Sequence, residues 1–297
     1  MAFANNLKSL PNSHIQLLVP MSYEYGGAIT DEATTANAFD GDVDSSIQLP
    51  ATSVVKWTYP AAVSYPTVVG TNPWMLIYRH YGDNSCVYKV TFDATDCVLT
   101  QGFIEEDRGQ VARDWTNDGD VFNRDNSSSA FSNLLVECAA SVGSYTIHRF
   151  NITTGSASSN VREVIFSKDY TVPMYSKSMS SSYYFTSQTG KTKTGIQSPR
   201  FNLRNSYVMA ADHSFEWNEL TDAEKLVFEY FFKAFGGNIT RPCAMCVIHG
   251  TPTASETINN VMTTRMLVIN EGSVKWSRNK QTLRHNLNFN ATELIPL

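Results

Sequence analysis

The chain has 297 residues, a net charge of −5 and 17% charged side chains, enough length for two domains of ordinary size and too little basic excess for a nucleic-acid surface. No stretch approaches ~20 consecutive apolar residues, which argues against a membrane-spanning helix. Residues 1–20 lack a basic segment followed by a sustained apolar run, so no signal peptide is expected. Ser, Thr, Asn, Tyr and Phe are abundant, a mix that favours strands and turns over helices.

The charge is unevenly divided. Residues 1–170 carry 10 basic and 19 acidic side chains, net −9, and residues 171–297 carry 13 basic and 9 acidic, net +4. This suits two domains with different neighbours, and ordinary variation between domains accounts for it equally well. The five cysteines are an odd number without framework spacing, the pattern of free thiols in a protein made in the cytosol. Without an export signal, the sequons beginning at Asn126, Asn151, Asn238 and Asn290 read as chance in an Asn- and Thr-rich chain.

In chain order, residues 15–19 (IQLLV) are the first apolar piece, and a turn-rich segment with Gly26, Gly27 and the acids of 36–46 follows. Short strand candidates then lie at 53–59, 74–78, 87–92, 97–100, 134–139, 145–150 and 161–166, each bounded by turn-forming residues, with no helical period between them. This pattern predicts an antiparallel sandwich or barrel. Residues 107–129 are polar and read as exposed loops, with Trp115 and Phe122 as loop anchors or a contact surface. Residues 172–198 form the junction. Pro173 interrupts strand pairing there, and Tyr183, Tyr184 and Phe185 argue against a bare linker. Two strands joined at 188–191 would give an extended hairpin, suited to subunit contacts or to an ordinary surface position.

The clearest element is FEWNELTDAEKLVFEYFFKAFGG at 215–237. Thr221 is a fitting N-cap, Glu224 completes a capping box, and Asp222 and Glu224 complement the helix dipole. Leu226, Val227, Tyr230, Phe231, Ala234 and Phe235 recur at helical spacing, and Gly236-Gly237 stops the element. A helix is predicted at about 221–235, entered by one strand and followed by three or four, covering one face of a sheet.

Motifs that carry chemistry are few. Cys243 and Cys246 lie in a predicted strand, where residues three apart point to opposite faces, so they would not converge on one metal. Asp40, Asp42 and Asp44 alternate in an oxygen-rich run, as do Asp118 and Asp120 around Gly119. These are solvated turn acids or, at Asp40, Asp42 and Asp44, a structural calcium site. No nucleophile elbow, phosphate loop, dinucleotide fingerprint or zinc-protease helix is present, and the six histidines are scattered. Acids such as Glu105, Glu106 and Glu137 could form a glycosidase pair only if the fold brought them together. The abundant aromatics, from Trp57 and Trp74 to the Tyr183–Phe185 run, are core or a contact surface.

Two resemblances rest on these residues. The order of strand, F-x-W-x-x-L (Phe215, Trp217, Leu220), T-D-A-E-K helix, Gly-Gly, further strands and a terminal L-x-F-x-A-T-E strand resembles the tail-tube-like domain of phage distal tail and baseplate proteins. It covers roughly 176–297. The run A-N-A-F-D-G-D-x-D-S-S at 36–46 is similar to the early motif of discoidin-like (galactose-binding-like) β-sandwiches, in which the Phe packs into the core and the Asp-Gly turn orders a loop. The expectation is a mainly β protein: an N-terminal antiparallel β-sandwich over 1–170, joined to a β-rich domain with one packed helix over 171–297. The resemblance implies a virion tail-tip component that assembles in the host cytoplasm as a homo-oligomeric ring. Other tail proteins and a host surface glycan are its implied partners, and it needs no catalytic residues and no cofactor beyond that calcium. The alternative is a carbohydrate-binding protein acting through the sandwich.

Overall fold

The computed structural model describes residues 14–29, 41–43, 45–49, 54–64, 72–80, 87–93, 95–106, 115–118, 121–124, 132–139, 144–154, 159–174, 180–185, 189–191, 197–199, 209–248 and 262–294. In chain order the elements are β1 His14–Leu18, α1 Ser22–Tyr25, β2 Ala28–Ile29, β3 Ile47–Leu49, β4 Val54–Ser64, β5 Trp74–His80, β6 Val87–Phe92, β7 Thr95–Asp96 and β8 Val98–Glu106. Then come β9 Trp115–Asp118, β10 Val121–Arg124, β11 Ser132–Ala139, β12 Ser144–Thr154, β13 Ser159–Val161, β14 Glu163–Ser167 and β15 Tyr170–Pro173. The remainder is β16 Ser180–Phe185, β17 Thr189–Lys191, β18 Gln197–Pro199, β19 Met209–Leu220, α2 Asp222–Lys233, β20 Pro242–Ile248, β21 Met262–Ile269, β22 Lys275–Arg278 and β23 His285–Glu293. The protein is mainly β, as the composition predicts.

Alternating side chains sort these strands into stacked layers. A seven-stranded sheet (β2-β4-β12-β6-β10-β9, with β7 on β6) packs against a four-stranded sheet (β14-β5-β11-β8). Met75, Ile77, Leu134, Val136, Val164 and Phe166 of the smaller sheet meet Tyr59, Val63, Val90 and Phe92 of the larger. The opposite face of the smaller sheet carries Trp74, Leu76, Phe103, Leu135 and Ile165, which meet Leu18, Ala244, Cys246, Ile248 and Met266 of an eight-stranded sheet. The four-stranded sheet is therefore covered on both sides. That is why WMLIY of β5 and EVIFS of β14 are buried without a break, as strands with two covered faces must be. The strands pair antiparallel; Leu135 of β11, for example, lies opposite Leu76 of β5.

The eight-stranded sheet runs β15-β1-β20-β21-β23-β19-β16, with β22 on β23. Helix α2 covers its remaining face. Thr221 Oγ1 accepts from Glu224 N at 3.2 Å and Glu224 Oε2 accepts from Thr221 N at 2.7 Å, so the capping box forms as predicted. The buried stripe is centred on Phe228, Phe231 and Phe235, while Leu226 is exposed. Phe231, Ala234 and Phe235 of the predicted stripe are buried and Val227 and Tyr230 pack against the core; in so nearly continuous an apolar run, periodicity alone errs only in including Leu226 and passing over Phe228. Phe228 stacks edge-on against Trp217 at 4.9 Å, and Trp217 stacks on Phe289 at 5.6 Å. Each such fully buried aromatic contributes roughly 1.5–3 kcal/mol.

Three expectations need correction. First, β1 sits between β15 and β20, with Ile15 opposite Val172 and Val247. The eight-stranded sheet thus draws on both ends of the chain and is not confined to 171–297. Alternation marks 15–19 as a strand but carries no information about a partner some 230 residues away. Second, the stretch 107–129 contains the hairpin strands β9 and β10, with Val121 opposite Asp118. Third, Ser180–Phe185 does not fold back at 188–191. It pairs with β19, Tyr183 opposite Ala211, while β17 pairs with β18.

Candidate functional site

The eight-stranded sheet curls. β15 and β19 are five positions apart in it, and a flat sheet would separate them by ~24 Å. Instead Trp217 Nε1 donates to the Pro173 carbonyl oxygen at 2.9 Å, and Tyr170 meets Phe231 of α2 at 5.9 Å. The aromatic face of α2 fills the concave side and draws the two ends of the sheet around it.

This curl leaves two unlike edges. β15 is four residues long and ends in Pro173, which has no N–H to offer and whose carbonyl is already taken by Trp217. Such an edge is blunted. β16 is six residues long and pairs with β19 on one side; among the described residues no strand pairs with its other side. An unpaired edge presents a row of backbone donors and acceptors to another chain.

Beside β16 lies a buried polar cluster. His213 Nε2 and Glu293 Oε2 are 2.6 Å apart, and Arg265 Nη1 donates to the same oxygen at 2.8 Å. Burial raises the Glu293 carboxyl, but the His213 hydrogen bond and the Arg265 charge outweigh it, so its pKa falls below the ordinary carboxylate value. The His213 side chain has no exposed surface. The cluster therefore ties β19, β23 and β21 together rather than facing a substrate. The alternation of HSFEW on β19 places His213 on the same face as Phe215 and Trp217, the one signal that could have found it.

Of the three candidate calcium ligands, Asp40 and Asp44 lie outside the described residues. Asp42 is exposed, and its carbonyl accepts from Ser45 N at 3.0 Å and Ser45 Oγ at 2.9 Å, a turn closed by its own backbone. Among the described residues no group of three or more His, Cys, Asp or Glu side chains is gathered to hold a metal. Cys243 and Cys246 point to opposite faces of β20, Cys243 into the helix-covered core and Cys246 into the layer below, as predicted. Burial pushes the Cys243 thiol up to about 12 and the Cys246 thiol higher.

The described histidines occupy separate places. His148 is enclosed by Phe92, Tyr59 and Phe166 in the sandwich core, and His285 bonds Asp222 at 2.8 Å at the start of α2. Glu105 reaches across to the backbone of Thr264, while Glu137 accepts from Asn72 at 2.9 Å. Each serves a different structural contact. A cleft between sandwich and curled sheet, lined by Tyr23, Trp57, Glu163, Pro242 and Met266, encloses about 10 Å³, room for about one water. No described helix is long and apolar enough to cross a membrane.

No protein-family model matches the sequence, and no curated protein matches it significantly.

Proposed function

We propose that the chain is a structural component of a bacteriophage tail tip or baseplate, of the distal tail type. It forms a homo-oligomeric ring that continues the tail tube, contacts other tail proteins, and projects the sandwich outward to hold adsorption proteins or touch a host surface glycan. It assembles in the host cytoplasm and acts in the virion, by association and without chemistry of its own. The observation that supports this reading best is the edge of β16, unpaired among the described residues, on a curled sheet whose other edge is blunted. An unprotected edge of this length is a liability in a monomer and a joint in an assembly. The alternative, a carbohydrate-binding protein, would rest on the sandwich alone.

Negative-stain electron microscopy of the purified chain, run beside glycan-resin retention, separates the two. Annular particles with outward lobes support the tail-tip reading. Single small particles retained on resin would replace it with the carbohydrate-binding one.

A further inference from the structure

One corner of the molecule holds two strained residues in contact through a shared partner. Glu219 has φ 61° at a bulge in β19, and Leu283 has φ 58° in the turn between β22 and β23. The left-handed region costs a residue with a Cβ roughly 1–2 kcal/mol, so the surroundings must hold both. Asn279 does so. Its Nδ2 donates to Glu219 Oε1 at 2.8 Å, its Oδ1 accepts from Gln281 N at 2.9 Å, and its carbonyl accepts from Leu283 N at 2.9 Å. Glu219 N donates to Asn286 Oδ1 at 3.1 Å, and Arg278 Nε donates to the Leu283 carbonyl at 3.2 Å. The turn is rigid and anchored to β19.

What it displays is unusual. Leu283 is 59% exposed, the largest exposure of any large apolar side chain among the described residues. Lys275, Arg278, Lys280 and Arg284, all exposed, share its hairpin, and residues 275–285 contain no acid. The acids at its base, Glu219 and Asp222, are bonded to Asn279 and His285, and beyond those bonds the charges of Arg284 and Arg278 also favour their ionised forms, which leaves Lys275 and Lys280 as the cations facing outward from the turn. Among the described residues none of the four cations is in an ion pair. A preorganised apolar knob circled by such cations matches an apolar socket rimmed by carboxylates.

We propose that this basic Leu283 turn is a docking knob that inserts into the acidic first part of a second copy of the chain. Residues 1–170 carry net −9 and so supply the complementary charge. Because knob and socket are different surfaces, the contact is head-to-tail and closes into a ring when the rotation closes. This rests on the ring reading above and adds where neighbouring copies meet.

The test uses the full chain, wild type against Leu283→Asn and against Lys275→Glu/Lys280→Glu. Asn accepts positive φ, so that variant keeps the turn; thermal midpoints within a few degrees of wild type verify folding in both. Wild type is expected to assemble at low ionic strength, with each variant weakened at least tenfold and wild-type assembly weakened by salt. Carbodiimide cross-linking of mixed heavy- and light-isotope chains should join Lys280 to carboxylates within 1–170 of another copy. Rings that form equally well in both variants, or cross-links only to carboxylates of 171–297, overturn the knob and leave the ring reading standing. A wild-type chain that stays monomeric overturns both.

Discussion

Glu105, on the edge strand β8, accepts a hydrogen bond from the backbone N–H of Thr264 on β21 at 2.6 Å, so one carboxylate crosses from the sandwich to the curled sheet. Asn133 donates to the same oxygen at 3.0 Å. Burial raises the Glu105 pKa, and the bonds from Asn133 and Thr264 only partly offset it. An acid whose folded pKa is raised binds more protons in the native state, so its contribution to stability falls as pH rises from the ordinary carboxylate value through the folded one. Glu105→Gln keeps an acceptor and removes the buried charge. It should be neutral or stabilising at pH 7 and flatten this slope. Glu105→Ala leaves the Thr264 N–H unsatisfied and should cost about 1–3 kcal/mol. Denaturant unfolding of both variants across pH checks the pair.

His148 gives a slope of the opposite sign. Its ring sits 4.3 Å from Phe92 and 4.8 Å from Tyr59 by centroid, and burial lowers its pKa to about 3. The neutral ring is native, while the unfolded chain takes a proton near pH 6.5. Stability is therefore full above pH 6.5 and declines as pH falls toward 3, by up to ~1.4 kcal/mol per pH unit. Replacing His148 with Gln should remove this component, read as a shallower loss of denaturant midpoint between pH 6.5 and 4.

The curl depends on Trp217. Trp217→Phe retains an aromatic ring against Phe228 and Phe289 but deletes the donor to Pro173. It should cost about 1–2 kcal/mol and, more tellingly, raise amide exchange in β15 while leaving the sandwich strands β11 and β12 protected. Uniform loss of protection would place the effect in global stability instead.

Cys243 and Cys246 should behave as core thiols. Both are buried, on opposite sides of β20, and burial raises both pKa values. A thiol reagent at pH 7.5 should label neither in the native protein and both after denaturation. Labelling before unfolding would show that β20 opens locally.

Some of this is legible in the sequence, and the rest is hidden for identifiable reasons. The capping box at Thr221 and Glu224 is local chemistry, so α2 can be placed within two residues. The main strands of the sandwich are visible from apolar stretches bounded by turn residues, although β4, β8 and β12 run several residues beyond the predicted 53–59, 97–100 and 145–150, and the short β2, β3 and β7 leave no signal. The pairing of β1 with β15 and β20 is not, because pairing joins residues far apart in the chain. The hairpin of β9 and β10 flanks the Asp-Gly of Asp118 and Gly119, a turn signal outweighed by the polarity around it. The buried contacts of Glu105 and Arg265 have no local signal, because their partners come from other strands and meet only when the layers stack. The strain at Leu283 leaves no trace in sequence, since nothing about Thr-Leu-Arg demands a positive φ.

Assembly is the central claim, and the solution mass of the purified full chain, by light scattering over a concentration series, tests it most directly. A discrete closed oligomer is expected, three or six times the 33.1 kDa chain mass. A mass equal to one chain at every concentration would contradict it.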